Sequence, residues 1–224
     1  MRAHPLETLK GALVVSCQAY PGEPMRDPHV MAAVAAAVAA GGAAGIRAQG
    51  IEDLVAITHA VDLPLIGLIK KGVDGVFITP TLSDCAAVAA AGADIVALDG
   101  TTRPRPDGST LAECIAEIHH RGRLAMADCA TVQDAVASAE AGADCIGTTL
   151  AGYTPDRVTT VGPDFALLSE LVAALPIPIL AEGRIRNPDD AAHALALGAH
   201  AVVVGTAITH PTSITALFVA ALSR

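Results

Sequence analysis

The residues of this chain with chemistry to offer stand at the ends of short apolar runs. In order they are Gln18, Arg47, Lys70, Asp99, Asp128, Thr148-Thr149, Glu182 followed by Gly183-Arg184, and Gly205-Thr206. A carboxylate in such a place often serves only to cap the next helix. Here the following helices carry their own start signals: Thr110 with Glu113, Thr131 with Asp134, and Asn187 before Pro188 and Asp190. Asp99, Asp128 and Glu182 are therefore candidates for binding or catalysis. Lys70 follows the run Leu65-Ile66-Gly67-Leu68-Ile69, so its stem leaves a buried segment. A free lysine, with a pKa of about 10.4, is a poor base at neutral pH. Desolvation or a neighbouring cation, such as Arg47 or Arg184, lowers it, and this makes Lys70 a candidate general base. Lys71 reads as a solvated surface residue. The consecutive corners Gly183-Arg184 and Gly205-Thr206 offer backbone N–H groups and a guanidinium suited to phosphate.

Positioning these groups on one rim requires a particular scaffold. Four junctions recur: Gly41-Gly42-Ala43-Ala44-Gly45-Ile46, Ala91-Gly92-Ala93-Asp94-Ile95-Val96, Ala141-Gly142-Ala143-Asp144-Cys145-Ile146 and Leu197-Gly198-Ala199-His200-Ala201-Val202. Each ends an Ala-rich helix at glycine and opens an apolar strand. Gly42, Gly92, Gly142 and Gly198 are 50, 50 and 56 residues apart, two strand-helix units per step. Four junctions then predict eight units, with strands near 12–17, 44–48, 65–70, 94–99, 124–128, 145–149, 177–182 and 201–205. Short apolar runs of this kind are typical of buried parallel strands. An open doubly wound sheet is the alternative, but eight regular units without a dinucleotide-type glycine loop favour closure. The expected fold is an α/β (β/α)8 TIM barrel, one domain over residues 1–224, with its chemistry at the C-terminal strand ends. The polar stretch Gly152 to Val161 after the sixth strand reads as a lid.

Composition narrows the partners. The chain has 14 basic and 23 acidic residues for a net charge of -9, with the basic residues scattered, so nucleic acid is not an expected partner. An anionic ligand must be held by a few local groups against the overall field. Five cysteines, Cys17, Cys85, Cys114, Cys129 and Cys145, form neither a disulfide framework nor a zinc-type spacing, which points to a reducing cytoplasm. The apolar run before Cys17 is too short for a signal segment, and the Ala-rich stretch from Val30 to Ile46 is too weakly apolar for a membrane span.

With these features in place, the chain resembles the N-acetylmannosamine-6-phosphate 2-epimerase family. The resemblance is carried by Val15-Ser16-Cys17-Gln18-Ala19, Gly45-Ile46-Arg47-Ala48, Ile66-Gly67-Leu68-Ile69-Lys70, Phe77-Ile78-Thr79-Pro80-Thr81, Ala97-Leu98-Asp99, Ala125-Met126-Ala127-Asp128 and Ala181-Glu182-Gly183-Arg184-Ile185. It implies a cofactor-free, metal-free cytoplasmic enzyme, a homodimer, interconverting N-acetylmannosamine 6-phosphate and N-acetylglucosamine 6-phosphate in sialic acid breakdown. Two positions depart from the family pattern. His210 stands where an Arg is usual, and the segment after Lys71 lacks an Asp-Tyr pair. An imidazole at 210 predicts a phosphate contact that weakens as pH rises through neutrality.

Epimerisation at carbon 2 needs a proton removed next to a carbonyl, after the sugar ring opens. Lys70 is the expected base, as the resemblance supports, and Glu182 its partner in ring opening or proton return. Arg47 and Gln18 would orient the sugar and its N-acetyl group, with Asp128 positioning Lys70 or a hydroxyl and Asp99 among the substrate-binding residues. Gly183, Arg184, Gly205, Thr206 and His210 would hold the phosphate. Rival readings are a metal-dependent pentose-phosphate epimerase, which would want His and Asp ligands at strand ends, and a barrel that binds an amino-sugar phosphate without turnover. Retention of both Lys70 and Glu182 argues against the latter.

Overall fold

A computed structural model describes residues 3–223. Eight parallel strands close on themselves: β1 (Leu13–Cys17), β2 (Gly45–Gln49), β3 (Leu65–Leu68), β4 (Ile95–Asp99), β5 (Leu124–Asp128), β6 (Cys145–Gly147), β7 (Ile179–Glu182) and β8 (Ala201–Val204). The ring is sealed by the pairing of Leu13 with Val202 and Val15 with Val204. The helices are α1 (Pro5–Leu9), α2 (Pro28–Ala40), α3 (Ile51–Ala60), α4 (Leu82–Ala90), α5 (Leu111–His120), α6 (Val132–Glu140), α7 (Phe165–Ala174), α8 (Pro188–Ala196), the single turn α9 (Thr206–Thr209) and α10 (Pro211–Leu222).

The expected barrel is thus present, and its punctuation is local. Gly42, Gly92, Gly142 and Gly198 share φ near 100° (98°, 99°, 100° and 99°), the positive-φ turn that ends a helix and redirects the chain into a strand. Thr110 with Glu113 and Thr131 with Asp134 form reciprocal capping boxes, and the Asn187 side chain accepts from the Asp190 N–H. Each of these caps leaves the acid at the preceding strand end free of capping duty.

Strand alternation divides the core in two. Val15, Ile46, Val96, Ala125, Ile146 and their neighbours face the helices and pack with Met31, Leu54, Ile57 and Ile115. The alternate residues Val14, Ile66, Leu68, Ile95, Met126, Leu180 and Val203 fill the barrel, closed at its N-terminal end by Leu6 and Leu9 of α1. By the same period of two, Arg47, Asp128 and Glu182 belong to the inward set near the opposite end.

Two strands end two residues short of expectation, while the ends of β2 and β8 shift by a single residue. β3 stops at Leu68 rather than Lys70, because Ile69–Lys71 leave the barrel ladder to pair with Phe77–Thr79 instead. β6 stops at Gly147, where a side chain would run into Met126 and stand 2.8 Å from Asp128 Oδ1. The 152–161 stretch is not a free lid. Arg184 donates to the carbonyls of Ala151 and Gly162 and to Thr160 Oγ1, at 2.8–2.9 Å, and fastens the segment to the β7 corner.

Candidate active site

At the C-terminal mouth of the barrel lies a cavity of about 1150 Å³, reached by Gln18, Arg47, Lys70, Glu182, Gly183, Arg184, Gly205 and Thr206 among others. Eight residues from five strand ends therefore meet in one space.

Its floor is a buried charge cluster. Arg47 lies within β2 and is 1% exposed, packed with its Nη1 3.5 Å from Met126 Sδ. Its guanidinium meets Asp128 through Nη2–Oδ2 at 2.6 Å and Nη1–Oδ1 at 3.2 Å, and Glu182 through Nη1–Oε2 at 3.2 Å. Burial alone would push the Arg47 pKa down, but Asp128 and then Glu182 outweigh it, so Arg47 is held charged. Two buried polar atoms here have no partner: Arg47 Nε and Gln18 Oε1. Gln18 spends its amide on Ser16 Oγ at 2.9 Å. Buried polar groups are rarely left unsatisfied in a native fold without a functional reason.

Lys70 and Glu182 are pushed in opposite directions. Burial, then the charge of Arg47, lowers the Lys70 pKa, with Glu182 and Asp128 partly opposing. Burial raises the Glu182 pKa, with Asp128 adding to the rise and Arg47 and Thr149 opposing it. Both shifts run toward neutrality, the arrangement that lets one amine act as base and one carboxyl as acid near pH 7. Lys70 Nζ also stands 5.2 Å from the centre of the Tyr20 ring. Thr149, seen in the sequence only as a polar strand end, bridges the acids with its Oγ1 2.6 Å from Asp128 Oδ1 and 3.1 Å from Glu182 Oε2.

The two corners expected to hold phosphate follow the neighbouring strands β7 and β8 and line the cavity. Gly183 (φ 109°) and Arg184 (φ 56°) form a left-handed turn directly after β7, and Thr206 opens α9 directly after Gly205. The Arg184 side chain is also engaged with the 151–162 segment, through one N–H each of Nε, Nη1 and Nη2.

Three further expectations need correction. Asp99 does not reach the cavity: it accepts from Thr101 N–H and Oγ1 and from Arg103 at 2.7 Å, and so organises the loop after β4. His210 lines the cavity wall, but its Nδ1 accepts from the Ser213 N–H at 3.3 Å as the cap of α10. Nδ1 also lies 2.7 Å from Ser213 Oγ, and Nε2 meets Glu23 Oε1 at 2.6 Å. Both ring nitrogens are occupied, and none is left for a phosphate. Lys71 is not merely solvated, since it pairs with the buried Asp84 at 2.6 Å. Among the described residues, no three His, Cys, Asp or Glu side chains cluster as metal ligands.

Comparison with known proteins adds an independent observation. Residues 31–224 match the family described as "Putative N-acetylmannosamine-6-phosphate epimerase". The chain belongs to this family. A Cutibacterium acnes relative of that description, as a 2-epimerase, is 56% identical over 95% of this chain and 94% of its own length. A Clostridioides difficile relative is 44% identical over 97% and 98%. The solved N-acetylmannosamine-6-phosphate 2-epimerase from Clostridium perfringens superposes with a TM-score of 0.96 at 42% identity, covering 99% of this chain and 97% of that one. A thiamine phosphate pyrophosphorylase from Pyrococcus furiosus, 18% identical with a TM-score of 0.63, shares the fold alone.

Proposed function

We propose that this member of the epimerase family interconverts N-acetylmannosamine 6-phosphate and N-acetylglucosamine 6-phosphate, as a step of amino-sugar and sialic acid breakdown. The observation that carries the reading is the pairing of a base with a lowered pKa, Lys70, and an acid with a raised one, Glu182, across the buried cation Arg47.

The open-chain aldehyde acidifies the hydrogen on carbon 2. Neutral Lys70 removes it, and the electron pair moves toward the aldehyde oxygen to give an enolate. Arg47, fixed and desolvated, stabilises that charge, and such preorganised electrostatics usually supply the largest share of catalysis. Glu182 delivers or accepts the proton of ring opening or of return to carbon 2. Gln18 Oε1 and Arg47 Nε, unpartnered in the chain, are the groups left to hold the sugar and its N-acetyl arm. The backbones of Gly183, Arg184, Gly205 and Thr206 grip the phosphate. The sequence of steps moves protons only and calls on no redox partner.

A homodimer and a cytoplasmic setting complete the reading. Helix α10 buries no residue and exposes Leu217 (59%), Phe218 (70%), Val219 (56%) and Leu222 (86%), an apolar surface that supports self-association. All five cysteines carry free, buried thiols. Among the described residues no helix is long and apolar enough to cross a membrane.

Proton NMR in deuterated water with N-acetylmannosamine 6-phosphate tests the activity, reporting turnover and carbon-2 exchange together. Growth of a carbon-2-deuterated N-acetylglucosamine 6-phosphate is expected, with far slower reaction of the unphosphorylated sugar. Binding without either change would make the chain a sensor.

A further inference from the structure

Strand β3 ends two residues short of Lys70, so the barrel ladder alone does not hold the lysine. An added pair of extended segments does. Lys70 bridges Ile78 in antiparallel fashion, the Lys71 N–H donates to the Phe77 carbonyl at 2.9 Å, and the Thr79 N–H donates to the Ile69 carbonyl at 2.7 Å.

Thr79 closes this pair under unusual constraint. It is fully buried with φ of 43°, a left-handed conformation that a β-branched residue seldom enters. Such a conformation persists only where the surroundings over-determine it. Here the Thr79 hydroxyl accepts from the Ile69 N–H at 3.2 Å and donates to the Ala97 carbonyl of β4 at 2.5 Å. Glycine would adopt this φ freely and lose both bonds. From the other side Arg105, itself buried, donates Nη1 to the carbonyls of Thr79 (3.3 Å) and Pro80 (3.4 Å), and Nη2 to the carbonyl of Asp99. One hydroxyl and one guanidinium thus tie the lysine-bearing segment to β4.

We infer that Thr79 and Arg105 are positioning residues for the reaction: they fix the Ile69–Lys71 backbone so that the Lys70 amine is held inside the cavity. Neither touches the substrate space directly. The inference rests on the reading of Lys70 as the base, and its test separates the two. In the cavity Lys70 has the Tyr20 ring of the β1–α2 loop, Arg47 of β2 and Glu182 of β7 beside it, and it feels the charge of Asp128 of β5 buried beneath the floor. Burial and Arg47 hold its pKa down, so any retreat toward solvent lets it rise.

The variants are Thr79→Val, which keeps the shape and removes the hydroxyl, Thr79→Ser, which keeps the hydroxyl, and Arg105→Lys, whose point charge cannot fork across three carbonyls. The Lys70 pKa is read by carbon-13 NMR of lysine-labelled protein, assigned with Lys70→Arg, alongside steady-state kinetics. Thr79→Val and Arg105→Lys should raise that pKa toward about 10.4 and lower kcat by roughly 10- to 100-fold with little change in KM. Thr79→Ser should restore both. A raised pKa with normal turnover would support the positioning role and remove Lys70 from the chemistry. Folded variants that lose only thermal stability, with the Lys70 pKa unchanged, would overturn the inference. Should Thr79→Val not fold, Arg105→Lys decides alone.

Discussion

Arg47 grips both carboxylate oxygens of Asp128, at 2.6 and 3.2 Å, with each side chain at most 1% exposed. A pair this buried gains little over an apolar equivalent, yet breaking it leaves a stranded charge. Asp128 is thus the group that keeps Arg47 in place and charged, while Glu182 takes a further contact at Nη1.

Removing the guanidinium therefore has two separable effects. Arg47→Met should destabilise the fold by about 3–5 kcal/mol, the usual cost of orphaning one member of a buried pair. It should also abolish turnover. The double variant Arg47→Met/Asp128→Leu should regain much of the stability and none of the activity, as chemical denaturation beside the NMR assay would reveal. Equal stability of the single and double variants would mean that Asp128 is not stranded.

The charge of Glu182 opposes the lowering of the Lys70 pKa. Glu182→Gln removes that negative charge without changing shape, so the Lys70 pKa should fall further. The base must be neutral to act, so the acidic limb of the rate profile, where activity rises as Lys70 loses its proton, should move to lower pH. Turnover should drop severely while slow deuterium exchange at carbon 2 persists. A limb that moves upward or stays fixed in the exchange profile would place another group at that titration.

Much of this architecture was legible in the chain itself, and the portions that were not share a cause. The glycine junctions, the capping boxes and the polar residues closing apolar runs are local signals, each set within a few residues, and they marked out the barrel and many of the residues that line its mouth. Long-range partners decide the rest. Arg184 reaches carbonyls 22 and 33 residues away, and His210 meets Glu23 across 187 residues. The contacts of Thr149 with Asp128 and Glu182, and those of Thr79 with Ile69 and Ala97, were equally unreadable, because a threonine's place in the sequence does not fix the partner of its hydroxyl.

His210 illustrates the consequence. It caps α10 and bonds Glu23, so His210→Ala should cost about 1 kcal/mol of stability through the lost cap, a fall in thermal midpoint of about 2–4 °C for a chain of this size. KM for the phosphorylated sugar, and its dependence on pH between 6 and 8, should stay as in the parent. A KM that loses its pH dependence in this variant would return the imidazole to the phosphate.

The decisive variant is Lys70→Ala. Lys70 lies past the end of β3 on a segment held by backbone bonds and by Thr79, so truncation removes an amine at the cavity wall and almost no barrel volume. The fold should survive, as circular dichroism and the thermal midpoint would record. Substrate should still bind, because the backbone corners at Gly183 and Gly205, the Arg47 guanidinium and the Gln18 acceptor Oε1 are untouched. Deuterium incorporation at carbon 2 should vanish, since among the groups that reach the cavity Lys70 is the amine whose pKa its surroundings lower. Near-normal exchange in Lys70→Ala would mean that another base works at carbon 2 and that Lys70 only shapes the site.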